Sequence, residues 1–105
     1  MKYAIKKYLV TMASNDKMEG KHKEYRKGRV YNIDGVEVGG ISQKGYGITL
    51  THVASGLAFP IGAFSFSTYA DFEKSIDDFK FFLKEHAETL EKATEALKDL
   101  PIYEG

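Results

Sequence analysis

The sequence predicts an α+β fold: an antiparallel sheet of four to five strands over residues 1–66, followed by one long C-terminal amphipathic helix over 68–98. Three observations carry that expectation. Apolar and polar residues alternate with period two through much of the first half, interrupted by glycine-containing turns. From Tyr69 to Lys98 there is neither Gly nor Pro, and apolar residues recur at spacings of three and four. The chain has 105 residues, the size of one domain with one main core, so 1–105 is read as a single domain.

The strands follow in order. Tyr3, Ile5, Tyr8 and Val10 alternate with lysines as a half-buried strand does, and Ala13-Ser14-Asn15-Asp16 reads as a turn. Lys17 to Lys27 is charged and aperiodic, which predicts either a long excursion or a lysine-rich edge strand. Arg29 to Ile33 alternates cleanly into Asp34-Gly35, a two-residue hairpin turn whose two positions tolerate positive φ, and Val36-Glu37-Val38 returns. Gly39-Gly40 suggests a bend or bulge. After the Ser42–Gly45 turn, Tyr46 to Val53 is rich in aromatic and β-branched residues. Ala54-Ser55-Gly56 leads into Leu57–Phe66, where Pro60 predicts an edge strand or a bulge.

Thr68-Tyr69-Ala70-Asp71 has capping spacing and should start the helix, and Pro101 should end it. Ile76, Phe79, Leu83, His86, Leu90, Ala93, Leu97 and Leu100 form a heptad-like seam. A straight helix of this length spans roughly 45 Å, whereas a strand of ordinary length spans about 17–20 Å. The second half of the helix should therefore overhang the sheet. Leu83, His86, Leu90, Leu97 and Leu100 then predict a dimer or partner interface. The alternative is a break near Glu88-Thr89 that folds the helix back onto its own domain. The expected core is Phe59, Phe64, Phe66, Phe72, Ile76, Phe79 and Leu83, with Ile48 and Leu50.

Several chemistries are disfavoured. With no cysteine there is no disulfide framework and no thiol catalysis. His22, His52 and His86 lack metal-ligand spacing, so no metal and no cofactor are expected. Ser55 lacks the flanking glycines of a nucleophile elbow, and the Gly39-Gly40 and Gly45-Tyr46-Gly47 runs lack the ending of a phosphate loop. The expectation is a non-enzymatic protein. No stretch approaches a membrane span or a signal-peptide core, which predicts a cytoplasmic protein with no membrane partner.

The zero net charge conceals a division. Residues 1–50 carry ten Lys/Arg against five Asp/Glu, a net of +5, and residues 51–105 carry the reverse, a net of −5. Lys17, Lys21, Lys23, Arg26, Lys27 and Arg29 surround Tyr25 and lead to Tyr31, while Lys2, Lys6 and Lys7 can extend the cluster from a neighbouring strand. Cations that neutralise phosphates, interleaved with rings on which bases stack, are what single-strand binding requires. Lys21, Lys23, Arg26, Lys27 and Arg29 are thus candidate phosphate contacts, and Tyr25 and Tyr31 candidate stacking surfaces.

A sheet of about four strands followed by one long helix, in a chain near 100 residues, resembles the single-strand-binding transcriptional coactivators and their Whirly relatives. Lys44-Gly45-Tyr46-Gly47-Ile48-Thr49-Leu50 is similar to a Lys-Gly-Ile-Ser-Leu-type strand of that family, although Thr51 to Phe66 here intervenes before the helix. The resemblance implies helices that pair two protomers and sheets that bind unwound nucleic acid. Thr51–Ala58, followed by Phe66-Ser67-Thr68 and a helix, also resembles a hairpin-to-helix pattern of small phage-encoded proteins. That likeness implies a small binding protein from a phage or other mobile element. The expected function is non-catalytic binding of single-stranded nucleic acid by a homodimer. The alternative is a protein-binding inhibitor or adaptor. It would use the acidic helix face (Asp71, Asp77, Asp78, Glu85, Glu88, Glu95) or the apolar edge over 57–64.

Overall fold

The structure, a computed structural model, describes residues 2–13, 21–43, 45, 47–59 and 66–103. Five strands form an antiparallel sheet in chain order: β1 (Ala4–Ala13), β2 (Lys21–Ile33), β3 (Val36–Gln43), β4 (Gly47–His52) and β5 (Leu57–Ala58). The β2–β3 hairpin turns as its sequence requires. Asp34 and Gly35 both have positive φ (52° and 88°), and the Asn32 side chain accepts a hydrogen bond from the Gly35 amide at 2.9 Å.

Three sequence expectations change in the sheet. Residues 21–27 are not an excursion: they extend β2 to 13 residues and pair with β1, while β3 reaches only Arg29–Ile33, so their other edge meets only β6, at Lys23-Glu24. Gly39-Gly40 makes no bulge, because the β2–β3 and β3–β4 registers run through it unbroken. Of the final strand only Leu57–Ala58 pairs with β4. Pro60 and Phe64 lie outside the described residues.

What Gly39 supplies is room. A Cβ there would stand 2.4 Å from Cζ of Tyr8, two strands away, so the Tyr8 ring lies flat against the Gly39 backbone. The sheet curls around this contact until β1 meets the β4–β5 turn. There the Thr11 amide donates to the Gly56 carbonyl (2.6 Å) and its hydroxyl to the Ser55 carbonyl (2.8 Å). Gly56, at φ 76°, would place a Cβ 2.6 Å from the Thr11 hydroxyl, so a side chain there would push the seam open. Tyr8, Val30 and Thr51 are buried inside the curl.

The other face carries the main core. Tyr31, Ile33, Val38 and Leu50 of the sheet meet Phe59, Phe66, Phe72, Phe79 and Leu83. The rings of Phe66, Phe72, Phe79 and Phe59 follow one another edge-to-face at 5.2–5.4 Å, and Tyr31 joins them through Phe72 at 5.2 Å. Of the expected core, Ile48 and Ile76 are only half-buried and pack at its margin.

The single long helix is replaced by three short ones: α1 (Tyr69–Lys74), α2 (Ile76–Glu85) and α3 (Ala87–Leu97). Thr68 caps the first as expected, accepting from the Asp71 amide at 3.1 Å. The breaks fall at Ser75 (φ −101°, ψ 18°) and His86 (φ −107°, ψ 13°), with no Gly or Pro at either. A straight helix touches a curled surface over only part of its length. Two bends let Phe72, then Phe79 and Leu83, then Leu97 be buried in turn. The amides of the two bend residues stay bonded, Ser75 N–H to the Phe72 carbonyl and His86 N–H to that of Phe82, each at 3.1 Å. The expected overhang is therefore absent. Leu83 and Leu97 are buried, Leu90 and Leu100 half-buried, and only His86 of the predicted interface set is exposed. The chain then returns to the sheet as β6 (Ile102–Tyr103), parallel to β2 at Lys23-Glu24.

Tyr8 provides a direct test of the curl. Its buried hydroxyl finds no hydrogen-bond partner among the described residues, although the Thr51 side chain lies close by, and burial, the largest cause, pushes its pKa up to about 12. A raised folded-state pKa contributes stability that is complete below the unfolded value near 10 and is lost as pH rises towards 12. Tyr8→Phe should raise stability at pH 7 by about 1–3 kcal/mol, the cost of an unsatisfied buried hydroxyl. It should also remove part of the loss between pH 10 and 12. Urea unfolding at both pH values checks this, and a destabilised Tyr8→Phe variant would show that the hydroxyl has a partner.

Candidate nucleic-acid interface

Strand alternation sorts the basic cluster before any partner can meet it. Successive side chains of β2 point to opposite faces, so Lys23, Tyr25, Lys27, Arg29 and Tyr31 share the helix-bearing face. His22, Glu24 and Arg26 lie on the other. Arg26 and Lys27, adjacent in sequence, cannot contact the same strand of phosphates on one face. Lys21 is the first residue of β2, and its side chain, like Lys17, lies outside the described residues.

Most of the predicted contacts are already engaged. Tyr31 is fully buried, with its hydroxyl donating to the Glu73 carboxylate at 2.9 Å, so it offers no ring face for stacking. Lys23 is buried beside β6. Arg29 lies between two rings, 4.1 Å from the centroid of Tyr3 and 3.8 Å from that of Tyr69, with Glu73 at 3.9 Å. It ties the N-terminal segment, β2 and α1 together. Tyr69 in turn pins α1 to β3, accepting from the Ser42 amide (3.1 Å) and donating to the Gly40 carbonyl (3.3 Å). Arg26 donates to the Tyr25 carbonyl at 2.9 Å and pairs with Glu24 at 3.4 Å. The Glu24 carboxyl is held below its usual range by its hydrogen bond to His22 first and by Arg26 second.

Tyr25 and Lys27 remain exposed. The register sets Lys7 of β1 directly opposite Lys27, and Leu9 opposite Tyr25. Neither Lys7 nor Lys27 has a carboxylate within ion-pair distance among the described residues, whereas neighbouring Lys6, on the other face, is held by Glu37 at 2.9 Å. Farther along the same face stand exposed Ile5 and Tyr3. Same-face residues of a strand repeat about every 6.8 Å. The surface therefore reads, in sequence, as an aromatic ring, a pair of ammonium groups, and an Arg–Tyr stack. Sequence reasoning named Tyr25 and Lys27 but could not single out Lys7 or Tyr3, because the β1–β2 register is a long-range property. Period-two alternation alone, applied to residues 21–27, was the signal that would have separated Arg26 from Lys27.

A second polar pair, His52 and Ser55, is buried. His52 Nδ1 and Ser55 Oγ meet at 2.8 Å, but Ser55 is fully buried and accepts from the Leu57 amide at 3.2 Å, which latches the β4–β5 turn. Burial lowers the His52 pKa, favouring the neutral ring. Among the described residues no group of three His, Asp or Glu is placed to hold a metal ion, and no helix is long and apolar enough to cross a membrane. Comparison with known protein families, curated proteins and solved structures finds no match.

The buried position of Tyr31 separates packing from binding. Tyr31→Phe keeps the ring beside Phe72 but removes the donor to Glu73, and should cost about 1–2 kcal/mol of stability. It should leave any nucleic-acid affinity within twofold of the wild type. Urea denaturation with an oligonucleotide titration checks both, and a selective loss of affinity at unchanged stability would return Tyr31 to the binding surface.

Proposed function

We propose that the protein is a non-catalytic binder of single-stranded nucleic acid, using the outer face of the β1–β2 pair, and that it works as a homodimer. The observation that carries this reading is the Lys7–Lys27 pair beside the exposed Tyr25 ring. Like charges directly opposite on a sheet are unfavourable, and a bridging phosphate relieves that repulsion. Tyr25 offers a base a stacking surface next to that phosphate, and such stacking is tolerant of sequence. The positive balance of the first half of the chain favours an anionic partner on this side. Two copies would present two such surfaces to one strand, which strengthens binding through effective concentration. The resemblance to single-strand-binding coactivators supports the same class of ligand, and a phage or mobile-element origin remains part of that reading.

The binding set thus becomes Lys7, Tyr25 and Lys27, with Arg29 and Tyr3 as its braced end. Two neutralised phosphates per surface predict a slope of log affinity against log salt of about −1.4. Tyr25→Ala should weaken binding by about 1–3 kcal/mol. A fluorescence-anisotropy titration with a labelled oligonucleotide at several salt concentrations tests this, repeated with Lys7→Glu/Lys27→Glu. Loss of binding in the double reversal, with Arg26→Glu causing a smaller loss, is the expected pattern. Binding indifferent to the reversal, or absent at low salt, would favour the protein-partner alternative.

A further inference from the structure

An open groove of about 810 Å³ runs between α3 and the β4–β5 turn, floored by Val36, His52, Ala54, Leu83 and Leu90. A smaller hollow of about 210 Å³, sharing Val36, Leu83 and Ala87, continues it along α2. Both are bordered by one stripe of the helical segment: Lys80, Lys84, Ala87, Glu91 and Glu95, at spacings of four, three, four and four. The stripe is basic before Ala87 and acidic after it; Lys92, which also lines the larger groove, is paired with Glu88 at 3.6 Å. Rotated by two-fold symmetry and laid antiparallel on itself, it places each basic residue against an acidic one, so the surface is its own electrostatic complement.

We propose that this groove is covered by the same segment of a second copy, paired antiparallel about a two-fold axis between residues 87 and 88. Lys84 of each copy then faces Glu91 of the other, and Lys80 faces Glu95. The inference rests on the self-association put forward above and names the surface that performs it. Lys84 and Glu91 have no ion pair within their own chain among the described residues, and so are available to a second copy. Glu95 does have one, with Lys98 at 2.6 Å, and Lys80 has a longer one, with Asp34 at 3.9 Å. Both are exposed pairs that exchange at little cost. The small Ala87 side chain at the axis allows the two segments to approach closely, and Leu90, half-buried in one copy, gains cover on both sides.

The pairing makes a prediction that an unrelated partner does not. By sedimentation equilibrium the wild type should be a dimer. Lys84→Glu and Glu91→Lys, each alone, should weaken self-association by at least tenfold, because each homodimer then sets like charges together twice. An equimolar mixture of the two variants should regain the dimer, since both cross-chain pairs become opposite in sign. Lys80→Glu with Glu95→Lys provides a second pair of variants should either of the first fail to fold by circular dichroism. A wild type that stays monomeric overturns both self-association and this interface. A dimer that persists in the single reversals, or a mixture that stays monomeric, overturns the interface alone. Oligonucleotide binding by the monomeric variants, weakened by loss of the second surface but not abolished, reports separately on the Lys7–Lys27 surface.

Discussion

The contact of the Tyr8 ring with the bare backbone of Gly39 is the constraint on which the rest of the structure depends. It brings β1 over β3 and commits the sheet to a curl, which the Thr11–Gly56 seam then closes. Once one face of the sheet is turned inward, only the other remains to receive helices. That outer surface is curved, so a helix can follow it only by bending. The breaks at Ser75 and His86 are the consequence, and they occur without a helix-breaking residue because the gain from burying Phe72, Phe79, Leu83 and Leu97 outweighs the loss of local regularity.

The same curl decides which charges are available. Arg29 and Tyr31 fall where α1 crosses β2, and there the first becomes a brace between two rings and the second part of the core. Lys27, two residues earlier, and Lys7 opposite it are exposed and have no ion pair among the described residues. A stretch that is uniformly basic in sequence is thus divided by the fold into structural cations and accessible ones. The exposed remainder is small, two ammonium groups and one ring, so the binding proposed for it would be modest and salt-sensitive.

Self-association would alter that balance. On the proposed reading, a single surface of this size would hold a strand weakly, whereas two surfaces fixed by an antiparallel helix pair would act on one strand together. On the same reading the basic first half of the chain would meet the ligand, while a separate division inside the second half, basic on α2 and acidic on α3, would join two copies.

Much of this was determined by sequence alone. The α+β class, the Asp34-Gly35 hairpin, the Thr68 cap and the phenylalanine-rich core depend on local pattern and local turn chemistry, which act within a few residues. The surface carrying Tyr25 and Lys27 was legible as a basic, aromatic stretch for the same reason. What only the tertiary structure decided are the pairings across distance: Lys7 with Lys27, Tyr8 with Gly39, Arg29 with Tyr3 and Tyr69. The division of one long helical pattern into three helices belongs with them. A heptad-like seam reports that a face is apolar but not the shape of what it packs against, and here that surface was curved.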